Sequence, residues 1–241
     1  MSLYDTIQFR EDLNNLSLQL TDAQINQFIR YYELLTEWNG FMNLTSITEY
    51  DEVMKKHFID SLSLIKVFDT SSLCNVIDVG TGAGFPGLAL KIAFPQMEIT
   101  LLDSLNKRIQ FLNAVIDDLG LKGITAIHGR AEDYARPGQL REQFDLCVSR
   151  AVANLSSLAE YCIPFVKVGG CFVSYKSDKL SEELSASENA VYVLGGKLEK
   201  TEEFTLPHSD ISRSLVCIRK IRSTPMKYPR KAGIPTKEPI K

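Results

Sequence analysis

Four glycines, Gly80, Gly82, Gly84 and Gly87, follow Asp78 within NVIDVGTGAGFPGLALKIAF at 75–94, the densest chemical signal in the chain. An apolar strand that runs into such a turn and then into a helix offers bare backbone N–H groups to a ligand at the strand's carboxyl end. Residues 82–87 match G-x-G-x-x-G, a pattern that on its own suits a dinucleotide phosphate. Asp78 argues against that ligand, because a carboxylate two residues before Gly80 repels a pyrophosphate and attracts an ammonium group. The alternation D-x-G-x-G-x-G therefore points to S-adenosylmethionine, whose methionine end carries that ammonium. A ligand-free glycine turn is the bland alternative, weakened by the stability that each glycine forfeits. Asp103 ends the next predicted strand, twenty-one residues after Gly82, where a carboxylate can accept from ribose hydroxyls.

Two further positions fall at strand ends. Ala131 and Glu132 lie in His128-Gly129-Arg130-Ala131-Glu132-Asp133 after the third predicted strand, on the adenine side of such a site. A helix N-cap by Glu132 or Asp133 explains the same residues equally well. Arg150 follows the fourth strand, FDLCVS, at the position that faces a transferred methyl. No Asp/Asn-Pro-Pro-aromatic motif and no Pro-Cys or Thr-Cys nucleophile occurs there. Arg150 is thus the candidate catalytic residue in a positioning role, holding a cofactor carboxylate, a phosphate or the O6 edge of a guanine. A surface salt bridge is its bland alternative. His57 and Asp60, three apart on a predicted helix, share a face and either line the site's mouth or pair with each other.

The elements that must position these residues follow from periodicity. Residues 1–70 read as a helical segment: Thr21 and Gln24 have capping-box spacing, and Ile25, Phe28, Ile29, Tyr32, Leu35 and Trp38 recur at helical intervals up to a stop at Asn39-Gly40. A second helix fits 50–67, with Val53, Phe58, Leu62 and Ile65 inward. From Cys74 the pattern changes to strands at Cys74–Val79, Glu98–Leu102, Thr125–His128, Phe144–Ser149 and Cys171–Lys176, alternating with helices near 86–94, 105–119, 154–166 and 178–194. That alternation predicts an α/β fold, a doubly wound, Rossmann-like and mostly parallel sheet. Glu202–Leu206 and Ser214–Lys220 are too close in sequence for a parallel crossover and predict an antiparallel C-terminal strand. The expected organisation is a helical segment over 1–70, a cofactor-binding domain over 71–222 and a basic, proline-rich arm over 223–241.

Charge singles out that arm. Residues 213–241 hold nine Lys/Arg and one acid, a net +8 in a chain of net −3, which leaves −11 on the preceding 212 residues. A basic tail on an acidic body suits an anionic partner. Lys227, Tyr228, Arg230, Lys231 and Lys237 are the candidate nucleic-acid contacts, with prolines 225, 229, 235 and 239 keeping the arm extended. Deleting 225–241 is then expected to weaken RNA binding and leave cofactor binding intact. The five cysteines form no C-x-x-C pair and the three histidines are scattered, so buried free thiols and no metal site are expected. No apolar run approaches a membrane span and the first residues are polar and acidic, which predicts no membrane association and a cytoplasmic location.

With those residues in place, the chain resembles the glucose-inhibited division protein B family, the RsmG-type 16S rRNA guanine-N7 methyltransferases. The matching pieces are NLTSI at 43–47, HFIDSL at 57–62, DVGTGAGFPG at 78–87, SRA at 149–151 and YPRKAGIPTKEPI at 228–240, in the family's order. The resemblance implies a guanine in the 530 loop of 16S rRNA, methylated at N7, as substrate; the expected partner is 16S rRNA or the 30S subunit, and a monomer is expected. It also implies that Gly80, Phe85, Ala131, Glu132 and Arg150 border S-adenosylmethionine. Spacing alone reaches only a methyltransferase with a basic arm; a protein or small-molecule methyltransferase, an NAD-dependent oxidoreductase and a non-catalytic ribosome-binding module remain open on the residues.

Overall fold

The computed structural model describes residues 4–150, 153–177 and 180–241. Seven strands form one sheet: β1 (Asn75–Val79), β2 (Glu98–Asp103), β3 (Ile124–His128), β4 (Phe144–Ser149), β5 (Val166–Lys176), β6 (Gly196–Thr205) and β7 (Ser212–Lys220). Their order is β3-β2-β1-β4-β5-β7-β6. Strands β1 to β5 pair in parallel, and β7 runs antiparallel to both β5 and β6. The order reverses at β1, between β2 and β4, and a crevice opens there at the strands' carboxyl ends.

Helices cover both faces, as strands apolar on both sides demand. On one face α1 (Ile7–Asn15), α2 (Asp22–Met42), α5 (Gly87–Ala93) and α6 (Asn106–Asp118) enclose a core that includes Phe28, Tyr31, Phe58, Leu88, Phe111 and Val148. On the other, α7 (Ala131–Tyr134), α8 (Leu155–Cys162) and α9 (Leu180–Val193) enclose Ile77, Cys147, Leu158, Phe172 and Val216. The nearly unbroken apolar runs of β1 and β4 arise because each strand supplies both cores. All five cysteines are buried and unpaired. Residues 1–3, the Ala151 of the SRA motif and the expected helix start at 178–179 lie outside the described residues.

The helical segment departs from expectation in two instructive ways. The Thr21–Gln24 capping box forms, but α2 runs through Asn39-Gly40 to Met42 and ends at Asn43 in the left-handed conformation. Asn39 acts differently: its side-chain oxygen accepts from the N–H groups of Leu44 and Thr45 and so helps hold NLTSI, whose residues 44–47 line the cleft at the strands' carboxyl ends. The expected helix at 50–67 is not uniform. It passes from α3 (Tyr50–Val53) through a π turn at Met54–Ile59 to α4 (Asp60–Leu62) and a 3-10 turn at Ser63–Lys66. The wider turn carries His57 and presents the Lys56 and His57 carbonyls to the side chain of Arg150, the residue after β4.

The C-terminal segment is not the expected extended arm. It folds back along α8 and includes a turn of helix, α10 (Ile234–Lys237). Tyr228 is 9% exposed and belongs to the second core, and the Arg230 guanidinium pairs at 2.6 Å with the fully buried Glu160. Burial of a tyrosine ring and neutralisation of an interior carboxylate outweigh the solvation that an extended basic strand would keep. Lys227, Lys231 and Lys237 stay exposed.

Candidate active site

A cleft of about 1220 Å³ opens at the carboxyl ends of β1, β2 and β4. Its floor is the glycine loop. The N–H groups of Gly80 and Thr81 donate to Leu102 O, and that of Gly82 donates to Asp103 Oδ2 at 2.9 Å. Gly82 and Gly84 have φ of +63° and +96°, a region that other residues enter only with strain. A β-carbon on Gly82 would meet nothing within 4 Å, so that side of the loop faces the open cleft. One on Gly84 would press on Leu88 and lie 2.6 Å from the Tyr31 hydroxyl.

Asp78, expected to face the ligand, is set back from it. It does not line the cleft but lies fully buried beneath the loop, where Oδ2 accepts from the Gly87 N–H at 2.8 Å and the Thr81 hydroxyl at 2.7 Å. Its Oδ1 is buried without a partner among the described residues. Burial raises its pKa to about 6, partly opposed by the Thr81 and Gly87 hydrogen bonds and by Arg150. The carboxylate shapes the loop from behind, because the turn's own donors lie closer to it than the cleft does.

Gly80, Gly82, Phe85, Asp103, Ala131, Glu132 and Arg150 all line the cleft. Asp103 is buried at the end of β2, tied to the N–H groups of Gly82 and Leu105 and to Arg108 at 3.1 Å. Glu132 caps nothing: α7 begins after Arg130 with no side-chain cap, and Glu132 Oε1 instead accepts from the tail's Gly233 N–H at 3.2 Å.

Arg150 is the centre of a network that spacing showed only in fragments. Its NH1 donates to Asp60 Oδ2 at 2.8 Å and to Lys56 O at 3.1 Å, and its NH2 lies 3.0 Å from His57 Nδ1. The other Asp60 oxygen accepts from Arg213 Nε at 3.0 Å. The His57 ring stacks on Phe85 with centroids 4.4 Å apart, and Phe85 stacks in turn on the buried Tyr31 at 5.3 Å. Arg150 also lies 5.0 Å from the Phe85 centroid, in cation–π range. No described residue accepts from Arg150 Nε, which leaves donor capacity for a ligand. Thus His57 and Asp60 pair with Arg150 rather than with each other, and both line the cleft. Thr45, Arg213 and Tyr175 also line the cleft, Tyr31 backs Phe85 from the core, and all four escaped sequence reasoning. NLTSI was visible as a motif without a role, and Arg213 only as tail charge.

His57 is held neutral. Burial and the adjacent Arg150 lower its pKa to about 3. With Nδ1 accepting from Arg150, Nε2–H is left to donate to Thr45 Oγ1 at 2.9 Å. The unfolded chain protonates this histidine near pH 6.5 and the folded one does not. Its contribution to stability is therefore complete above about pH 6.5 and drains away as pH falls towards 3. Asp78 has the opposite sign, its contribution falling as pH rises from the unfolded value of 3.8 to about 6. Imidazole NMR should find His57 neutral at pH 5, and the His57→Gln variant should lose stability less steeply than the parent below pH 6.

The geometry fits a nucleoside with an amino-acid end. The loop offers an open glycine face, Asp103 and Glu132 stand on one side, and Arg150 closes the other. The family model for rRNA small subunit methyltransferase G matches residues 24–215. The chain belongs to this GidB family. Relatives named ribosomal RNA small subunit methyltransferase G include one from Lachnoclostridium phytofermentans, 55% identical over 236 residues and 98% of each chain. Another, from Alkaliphilus metalliredigens, is 52% identical over 96% of this chain and 97% of its own. Among solved structures, a methyltransferase from Pyrococcus furiosus aligns with a TM-score of 0.55 at 15% identity, covering 81% of this chain and 99% of its own. TYW2 of M. jannaschii, solved with AdoMet, aligns at 0.53 and 14% identity, covering 67% and 77%. At those identities the likeness is one of fold. The enzyme is a methyltransferase with S-adenosylmethionine as its methyl donor. No helix among its described residues is long and apolar enough to cross a membrane.

Proposed function

We propose that the enzyme methylates N7 of a guanine in the 530 loop of 16S rRNA, acting as a cytoplasmic monomer on the rRNA or the 30S subunit. The observation that carries this reading is that each acid and imidazole among the described residues lining the cleft already holds a hydrogen-bond or ion-pair partner, Glu132 through one oxygen only. Asp60 is held by two arginines, Asp103 by Gly82, Leu105 and Arg108, Glu132 by Gly233, Glu183 by Lys176 and Leu155, and His57 by Arg150 and Thr45. Such a cleft is poorly equipped to remove a proton. Guanine N7 carries an in-plane lone pair and requires no deprotonation, whereas an exocyclic amine or a hydroxyl does.

When bound, S-adenosylmethionine supplies an electrophilic methyl on an excellent leaving group. The chain's own task is alignment and exclusion of water. The loop from Gly80 to Phe85 supports the cofactor, Asp103 and Glu132 address its ribose and adenine, and the buried charge of Asp78 draws the ammonium end. Arg150, braced by Asp60 and His57, orients the methyl-donor end or the O6 edge of the guanine. The exposed Lys227, Lys231 and Lys237 contact phosphates, whereas Tyr228 and Arg230 are committed to the fold.

The direct test is mass mapping of 16S rRNA from cells with and without the gene, with purified enzyme added back to 30S particles and to bare RNA. One methyl on a 530-loop guanine, lost with the gene and restored by the enzyme, is expected; an unchanged methylation map overturns the reading. Replacing Lys227, Lys231 and Lys237 together with alanine should lower the salt slope of RNA binding by about 2 to 3, since each phosphate contact contributes roughly one.

A further inference from the structure

Glu160 on α8 has a side chain with 0% exposure, and its charge is answered from the tail. The Arg230 backbone N–H donates to Oε1 at 2.7 Å, Nε donates to the same oxygen at 2.9 Å, and NH2 donates to Oε2 at 2.6 Å. A buried carboxylate stripped of such a partner is an uncompensated charge, so the pair holds the tail down firmly. Arg141 adds hydrogen bonds to the carbonyls of Tyr228 at 2.8 Å and Thr224 at 2.5 Å.

Beyond this anchor the chain turns at Gly233, with φ +81°, and reaches the cleft. The Gly233 N–H donates to Glu132 Oε1, the Ser157 hydroxyl donates to Pro235 O at 2.7 Å, and the Tyr161 hydroxyl pairs with Thr236 at 2.8 Å. Glu132 and Tyr161 both line the cleft.

We propose that Arg230 and Glu160 are positioning residues for the cofactor, holding the tail so that Gly233 orients the Glu132 carboxylate at the nucleoside end of the cleft. The inference rests on the reading of Glu132 as a nucleoside contact. One Glu132 oxygen is committed to the tail, and the rest of the carboxylate is thereby fixed for a ligand. Tail docking and cofactor binding are coupled, and the coupling is reciprocal: a bound nucleoside holds the tail as the tail holds Glu132. Deletion of 225–241 then weakens cofactor binding as well as RNA binding, contrary to what an independent arm would do.

Calorimetry of the full-length protein with S-adenosylhomocysteine provides the test. Arg230→Ala should bind it about tenfold more weakly, within the usual range of such couplings. Arg230→Lys should recover part of the loss, and Arg230→Ala combined with Glu132→Gln should bind no more weakly than Glu132→Gln alone. Additive losses overturn the proposal. If Glu132→Gln weakens binding and Arg230→Ala does not, the coupling falls and the nucleoside reading stands. If Glu132→Gln has no effect, the nucleoside reading itself falls. Should Arg230→Ala fail to fold, hydrogen exchange of the parent enzyme decides: the amides of 228–237 should exchange more slowly with S-adenosylhomocysteine present, and unchanged exchange overturns the proposal.

Discussion

Arg150→Ala is expected to lower kcat by about two orders of magnitude, the loss that follows when reacting groups drift from alignment by roughly an ångström. The substitution removes more than a charge. It releases the π turn, whose Lys56 and His57 carbonyls accept from the guanidinium, and it leaves Asp60 with Arg213 as its remaining cation. The His57 ring loses the donor that orients it over Phe85. Arg150→Lys should not restore the rate, because one ammonium cannot reach a carboxylate, a backbone carbonyl and an imidazole in a fixed fork. Steady-state kinetics with labelled methyl donor and 30S particles, beside calorimetry with S-adenosylhomocysteine, separate alignment from affinity. A kcat within twofold of the parent, with affinity unchanged, would remove Arg150 from the site.

The largest structural effect is expected at Gly87. A β-carbon there would overlap Leu101 and lie 2.9 Å from Asp78 Oδ2 and 3.1 Å from Asp78 Cβ. Neither neighbour can retreat: Leu101 is fully buried on β2, and Asp78 is fully buried and bonded to Gly87 itself. Gly87→Ala should cost about 1–3 kcal/mol as overpacking and should abolish detectable cofactor binding, because Asp78 shapes the loop that it would disturb. Gly40→Ala is the matched control. It sits inside α2 with nothing within 4 Å of the added carbon, and should stabilise by about 0.5–1 kcal/mol. Denaturant midpoints of the two variants moving in the same direction would refute the packing argument.

The alternation of short β-branched runs with amphipathic segments was legible because burial on both faces imposes it on every strand. Phe144–Ser149 was placed to the residue, and β1, β2 and β3 to within one. β5 and β6 proved longer than their apolar stretches, because β5 already pairs at Val166 with Phe144 before an irregularity, and Lys197 and Lys200 of β6 pair with Arg219 and Cys217 through backbone whatever their side chains. On α2 the expected inward face omitted Tyr31 and Leu34. Tyr31 is buried because the Ala83 carbonyl accepts its hydroxyl, a partner fifty-two residues away.

Local order alone decided the sheet's alternation, the glycine turn after β1, the capped start of α2 and the membership in a methyltransferase family. These depend on side-chain type against near neighbours, and near neighbours are written in sequence. Tertiary structure decided that Asp78 stands behind the loop rather than in the cleft. It also brought Arg150 to His57 and Asp60 across some ninety residues, and turned the basic tail into a strap bound by Glu160. Each of these is a choice of partner for a buried charge or donor, made by whichever compensating group the fold delivers, and a linear pattern holds no distance between such groups.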